Sequence, residues 1–324
     1  MKAVLCVRHG GPEALEIRDI PDPVASKGEV VVKIAAAALN FFDTLIIENR
    51  YQFKPELPFS PSGECAGVIE ALGPGVEGFA VGERVAAYLG WGAARERVVA
   101  PAGRLVRVPD GVSDEAAAGL TVTYGTSLHA LRERARLQPG ETLAVLGAAG
   151  GAGLAAVELG ALMGARVIAC ASSADKLALA TAGGAALALN YAEEPLREGL
   201  KRLTDGRGVD VLYDPVGGDL AEPALRSMAW AGRYLVVGFA GGGIPKIPLN
   251  LVLLKGCDVQ GVFWGAHLER DPAAHRANMA DLMAWAAAGR LSAHVDQIFP
   301  LERAAEALGR IARREAQGKV VLVP

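Results

Sequence analysis

The sequence predicts an α/β protein in two parts, a β-rich partly open barrel and a doubly wound parallel sheet of six strands. Three observations predict it. Up to about residue 100, short apolar runs at Lys2–Val7, Glu29–Ala36, Cys65–Leu72 and Arg84–Tyr88 are separated by Gly/Pro punctuation. From Glu141, runs of strand length at 143–146, 166–171, 186–189, 209–213, 233–237 and 258–262 alternate with helical stretches. Within Thr142–Lys176, a strand, a glycine turn, a helix and a strand follow each other, a βαβ unit of about 30 residues.

In that unit, Leu143–Leu146 is the first strand, Leu154–Met163 the helix and Arg166–Ala171 the second strand. Gly164 stands where a helix C-terminus favours glycine. Gly150 allows backbone to approach a pyrophosphate, and Gly153 lets the helix lie close on the strand. The N–H groups of Gly151, Ala152 and Gly153, at the positive end of the helix dipole, complete a phosphate cradle. The residues facing the G-x-G-x-x-G pattern are Ala148, Gly150 and Gly153, so the first glycine is an alanine.

With 324 residues and a formal charge of -3, the chain suits two domains and offers no electrostatic case for nucleic acid or an anionic membrane. Cys6, Cys65, Cys170 and Cys257 are scattered with no C-x-x-C pair, which fits a reducing cytoplasm. No signal peptide is expected at the N-terminus, and glycines with Glu158 interrupt the longest apolar region, so no membrane span is expected either.

After Pro109, Ser113-Asp114-Glu115 starts a helix through Leu120, and a second helix is expected over Tyr124–Arg136. Further helices are expected at 174–182, 193–204, 220–230 and 249–254. Asp271-Pro272 opens a helix that ends near Gly289, another covers Leu301 to about Arg314, and a last strand is Lys319–Val323. That strand is expected to pair back into the first domain. The division is 1–120 with 266–324 for the first domain and 121–265 for the second.

Several motifs together resemble the zinc-independent quinone oxidoreductase (zeta-crystallin-like) branch of the medium-chain dehydrogenase/reductase superfamily. They are Ala38-Leu39-Asn40-Phe41-Phe42-Asp43, Gly73-Pro74-Gly75-Val76 with Val81-Gly82-Glu83-Arg84-Val85, Thr123-Tyr124-Gly125-Thr126, Gly147–Gly153, Asp214-Pro215-Val216-Gly217-Gly218, and Gly318-Lys319-Val320-Val321-Leu322. The resemblance covers nearly the whole chain and implies a GroES-like barrel joined to a Rossmann domain. Zinc-dependent relatives carry a cysteine ligand where this chain has Asn40, and Gly-His-Glu where it has Ser62-Gly63-Glu64. The four-cysteine lobe is missing too, so no metal is expected.

The tip of the second strand of the βαβ unit, Ala171-Ser172-Ser173, has no carboxylate to bind a ribose 2′-hydroxyl. Asp175 reads more simply as part of a capping box with Ser172. Ser172, Ser173 and Lys176 suit a 2′-phosphate, so NADPH is the expected cofactor. The resemblance adds Tyr191 and Arg314 to that phosphate site, Thr126 near the nicotinamide, and the strand-end residues Val216, Gly238, Phe239, Phe263, Trp264 and Gly265.

Without a zinc ion, quinones and conjugated carbonyl compounds are the suitable hydride acceptors, because they delocalise the arriving charge themselves. Asn40 and Tyr51 are the candidate catalytic donors; the resemblance places the first beside nicotinamide ribose and substrate, and the second at the spacing of a catalytic tyrosine in enoyl reductases. Asp43 reads as a loop-ordering acid, and none of the five histidines forms a recognisable relay. The expected function is an NADPH-dependent quinone reductase in a cytoplasmic homodimer. The alternatives are an enone or enoyl-thioester reductase, and an NADPH-binding structural protein without turnover.

Overall fold

The computed structural model describes residues 1–324. Its strands are β1 (Lys2–Cys6), β2 (Leu15–Asp19), β3 (Glu29–Leu39), β4 (Glu64–Leu72), β5 (Arg84–Tyr88), β6 (Arg97–Pro101), β7 (Leu105–Arg107), β8 (Thr142–Leu146), β9 (Arg166–Ala171), β10 (Leu187–Asn190), β11 (Val209–Asp214), β12 (Met228–Val236), β13 (Asp258–Gly261), β14 (Val295–Pro300) and β15 (Lys319–Val323). Its helices are α1 (Phe41–Ile47), α2 (Asp114–Leu128), α3 (Gly151–Leu162), α4 (Ala174–Ala182), α5 (Leu196–Leu203), α6 (Ala221–Arg226), α7 (Leu249–Lys255), α8 (Trp264–Arg270), α9 (Pro272–Ala287) and α10 (Ala304–Ala312). The chain divides into two compact units, Met1–Val122 with Ala273–Pro324, and Thr123–Pro272. No helix is long and apolar enough to cross a membrane.

In the first unit the sheet runs β14-β15-β3-β4-β5-β7, with β6 also paired to β3. Only the β14–β15 pair is parallel. The central strand β3 alternates little and is buried along most of its length, as a strand covered on both faces must be. Its far end receives β15 in antiparallel register, Val320 opposite Leu39 and Leu322 opposite Ala37. Val32, Ile34, Leu39, Ile69, Phe299 and Leu322 belong to one apolar core. At Asn40 the chain turns directly from β3 into α1, which stops before Asn49, a residue in the left-handed region at φ 58°.

The second unit is a six-stranded parallel sheet of order β10-β9-β8-β11-β12-β13. The order reverses direction at β8 and β11, the switch point at which doubly wound sheets bind ligands. All six expected strands are present. β12 begins earlier than expected, because Met228 already pairs with Val209, and the helix expected over 220–230 therefore stops at Arg226.

Two other expectations are corrected. The two helices expected between Ser113 and Arg136 are one continuous helix, α2, which widens into π-helical turns at His129–Arg134. The β-branched run Thr121-Val122-Thr123, a poor helix former by propensity, is buried inside it, so packing overrides local preference. Trp264–Arg270, for which no helix is expected from the sequence, forms α8, and His267 lies on it.

Candidate functional site

In the first unit the site is built around a charged network buried from bulk solvent. Glu64 is fully buried, Asp43 and Lys319 nearly so, and Asn40 is 7% exposed. Lys319 Nζ donates to Glu64 Oε1 at 2.7 Å, to Asn40 Oδ1 at 2.6 Å and to the Leu39 carbonyl at 3.0 Å. Asn40 Nδ2 donates to Glu64 Oε1 at 2.8 Å. The other carboxylate oxygen of Glu64 accepts from the Thr121 hydroxyl and from Val122 N, the latter at 2.7 Å. Every lone-pair direction of Glu64 is therefore directed at a donor, which is what a buried carboxylate requires.

Asp43 sits in the first turn of α1 and accepts from Asn40 N at 2.8 Å and from Ser62 N at 3.1 Å. It thereby ties the β3–α1 junction to the chain entering β4. Burial pushes its carboxyl up to about 7, against the pull of those two N–H groups and of Lys319, with the charge of Glu64 adding to the rise. Tyr51 stacks on Phe42 at 5.6 Å between ring centroids and meets Phe53 edge-on at 5.7 Å. Burial raises its phenol above the ordinary tyrosine value, and the charge of Asp43 raises it further, so the O–H stays protonated.

Metal ligation finds a poor donor set here. Asn40 offers an amide, Ser62 a hydroxyl directed to the Ala38 and Glu64 carbonyls, and Glu64 a carboxylate already neutralised by an ammonium. Glu64 and Lys319 were not among the expected site residues. A lysine opening an otherwise apolar strand, Lys319-Val320-Val321-Leu322, was the signal available.

In the second unit, β8 is followed by Gly147, at φ 58°, and α3 begins from Gly150 with no side-chain cap. A Cβ on Gly153 would lie 2.1 Å from the Gly147 carbonyl oxygen, so no side chain fits between helix and turn. A Cβ on Gly150 would meet only that same oxygen, at an ordinary 3.5 Å. The protein's own packing therefore demands glycine at 153 but not at 150, where the missing side chain keeps the outer face of the turn open. The N–H groups of Gly151, Ala152 and Gly153 have no acceptor within the helix. These features fit a bound pyrophosphate.

At the end of β9, the α4 cap is one residue later than expected. Ser173, not Ser172, is the N-cap, its hydroxyl accepting from Lys176 N at 3.5 Å; Asp175 lies inside the first turn, and Ser172 is exposed. Tyr191 N donates to the Ala171 carbonyl at 3.0 Å, which places Tyr191 at the same sheet edge. Arg314 lies in the first unit, after α10, at φ 60°.

The strand ends of β11 and β12 are stitched together. Asp214 accepts from Val216 N and Gly217 N, each at 2.8 Å, and from the Tyr234 hydroxyl. Ala240 N and Gly241 N then donate to Pro215 O and Val216 O at 3.0 and 2.7 Å. This holds Val216, Gly238 and Phe239 in fixed backbone positions. Phe263 is half exposed ahead of Gly265, whereas Trp264 is buried as the first residue of α8. Thr126 lies on α2, where the neighbouring Ser127 bonds Tyr213 on β11 at 2.9 Å and the Ala152 carbonyl at 3.2 Å.

A parallel sheet with an open glycine turn, joined in one chain to a mostly antiparallel unit, is an architecture suited to a dinucleotide-dependent oxidoreductase. Residues 26–110 match the family model described as alcohol dehydrogenase GroES-like domain, and residues 151–285 the one described as zinc-binding dehydrogenase. The chain belongs to the medium-chain dehydrogenase/reductase family, among its quinone oxidoreductases. It is 38% identical over 323 residues to mouse quinone oxidoreductase-like protein 2, covering 99% of this chain and 91% of the relative. It also matches the solved quinone oxidoreductase of Pseudomonas syringae pv. tomato at 34% identity and a TM-score of 0.92, covering 100% and 99% of the two chains. The Escherichia coli quinone oxidoreductase solved with NADPH gives 28% identity and a TM-score of 0.92, with 100% of both chains covered.

Proposed function

We propose that this oxidoreductase reduces quinones with NADPH. The observation that carries the reading is the end-to-end similarity to quinone oxidoreductases, one of them solved with NADPH. When bound, NADPH supplies a hydride to the electrophilic acceptor.

The residues of the second unit hold the cofactor. Gly150, Gly151, Ala152 and Gly153 receive the pyrophosphate on backbone N–H groups. Ser172, Ser173, Lys176 and Tyr191 receive the 2′-phosphate; no carboxylate stands at the strand tip to repel it. The backbone at Val216, Gly238, Phe239, Phe263, Trp264 and Gly265, together with Thr126, receives the nicotinamide end. Thr123–Pro272 is on this reading the cofactor domain, and the GroES-like unit the catalytic one.

In the first unit, Asn40 and Tyr51 are the donors to the acceptor oxygen. The Asn40 amide is locked in one orientation by Glu64 and Lys319. Its second N–H points its positive charge at whatever oxygen gains electrons, without reorganisation cost. Tyr51, kept protonated, adds an O–H.

The enzyme acts in the cytoplasm as a homodimer. Leu249, Leu253 and Leu254 on α7 are each at least 70% exposed, as is Ile244, and β13 is the edge of its sheet. A second copy pairing at that edge buries them.

The test is an NADPH-oxidation screen with a benzoquinone, a naphthoquinone, an aliphatic enone and crotonyl-CoA side by side. Turnover of the quinones supports the reading. Turnover of the thioester alone overturns it in favour of an enoyl reductase, and tight NADPH binding without turnover of any acceptor overturns it in favour of a binding protein.

A further inference from the structure

Away from the glycine turn, the π-helical end of α2 brings three ligand-type side chains together. His129 and Glu133 are four residues apart on it, and His267 comes from α8. His129 Nδ1 is in hydrogen-bond contact with Glu133 Oε2, and His267 Nε2 lies 3.1 Å from the same oxygen. The three ligand atoms all lie within 4.8 Å of one another. His129 is 9% exposed at its side chain, His267 16% and Glu133 27%.

Two features set this cluster apart from an ordinary surface ion pair. His267 Nε2 is buried and, although 3.1 Å from Glu133 Oε2, makes no aligned hydrogen bond there or elsewhere. The wider π turn is an arrangement that helices adopt at a cost and that recurs at functional sites.

We propose that His129, Glu133 and His267 form a divalent-cation site with Zn2+ as its preferred ion. Two imidazoles and one carboxylate are a borderline nitrogen and oxygen set, which suits zinc, with water as the fourth ligand. The Glu133 carboxylate brings the one formal negative charge among the three ligands. Tetrahedral zinc at about 2.1 Å from each ligand needs ligand atoms about 3.4 Å apart. The two rings now stack at 4.0 Å and 21°, so one imidazole turns about its ring axis to bring both lone pairs onto the ion. Binding would clamp α8 to the end of α2 within the second unit, and so order the segment that begins at Trp264. The proposal does not depend on which acceptor the enzyme reduces.

The experiment is calorimetric titration of the full-length, chelator-treated protein with ZnCl2, with Co2+ absorption as the second readout. The expected result is one ion per chain, bound at least thirtyfold more weakly by His129→Ala or His267→Ala and about tenfold more weakly by Glu133→Gln. His294→Ala leaves binding unchanged. The Co2+ spectrum shows visible bands of low coordination number without thiolate charge transfer. His267→Gln, closer in volume, replaces His267→Ala if the latter fails to fold. Absence of stoichiometric binding by the wild type, undiminished binding in all three site variants, or a thiolate signature from a cysteine each overturns the proposal.

Discussion

Lys319 Nζ lies 2.7 Å from Glu64 Oε1, and solvent reaches almost none of either side chain. Removing one partner strands the other as a buried charge, a loss of about 3–5 kcal/mol. Lys319→Met should therefore destabilise the first unit by that order in denaturant unfolding. It should also loosen Asn40, whose amide oxygen accepts from the same ammonium. Lys319→Met with Glu64→Gln should recover much of the loss. A double variant no more stable than the single one would show that the charge is not the cause.

The glycine turn separates two jobs that share one motif. Gly153→Ala should lower both stability and NADPH affinity, because its Cβ collides with the Gly147 carbonyl. Gly150→Ala should melt within a degree or two of wild type, yet bind NADPH at least tenfold more weakly, about 1.4 kcal/mol. Thermal melts and fluorescence titration of the two variants separate these outcomes.

Much of this was legible in the sequence, and the failures share a cause. The parallel strands announce themselves because each is a local apolar run closed by glycine or a polar turn. Gly150 and Gly153 were readable for the same reason. The Glu64–Lys319 pair spans 255 residues, and the His129–Glu133–His267 cluster joins α2 to α8; no local pattern encodes either meeting. Thr121-Val122-Thr123 argues locally against the single helix α2 that forms. Thr121 stays helical while its hydroxyl caps a carboxylate that lies 57 residues away in the chain.

On the proposed reading, cofactor preference rests on the strand tip at Ser172 and Ser173, where no carboxylate stands. NADPH should be preferred to NADH by at least tenfold in kcat/KM, about 1.4 kcal/mol. Lys176→Ala should erode the preference, and Ser172→Asp should reverse its direction by repelling the 2′-phosphate. Equal kcat/KM for both cofactors with the wild type would sink this assignment.

Asp43 carries a pH signature. Its carboxyl is raised from 3.8 to about 7 in the folded chain, so the folded state holds a proton that the unfolded state has already released. By linkage, its contribution makes stability fall as pH rises from about 4 to about 7. Asp43→Asn should flatten that part of the profile while losing one of the two N–H acceptors. Denaturant melts at half-unit pH steps would reveal an unchanged slope if the proton is held elsewhere.

The leucines of α7 predict the assembly. Light scattering should give twice the chain mass, and Leu253→Glu with Leu254→Glu should give the monomer without loss of helical content. A wild-type monomer at micromolar concentration would refute the dimer.

The strand that carries Lys319 also sets an order of assembly. Residues 123–272 leave the ribosome before it does, so the parallel sheet holds all six strands while β3 still waits for β15. Until then, Glu64 has no ammonium beside it and the Asn40 amide oxygen lacks the Lys319 donor. A nascent chain can thus complete its parallel sheet before the Lys319–Glu64 pair forms, so the second unit can fold ahead of the first during synthesis.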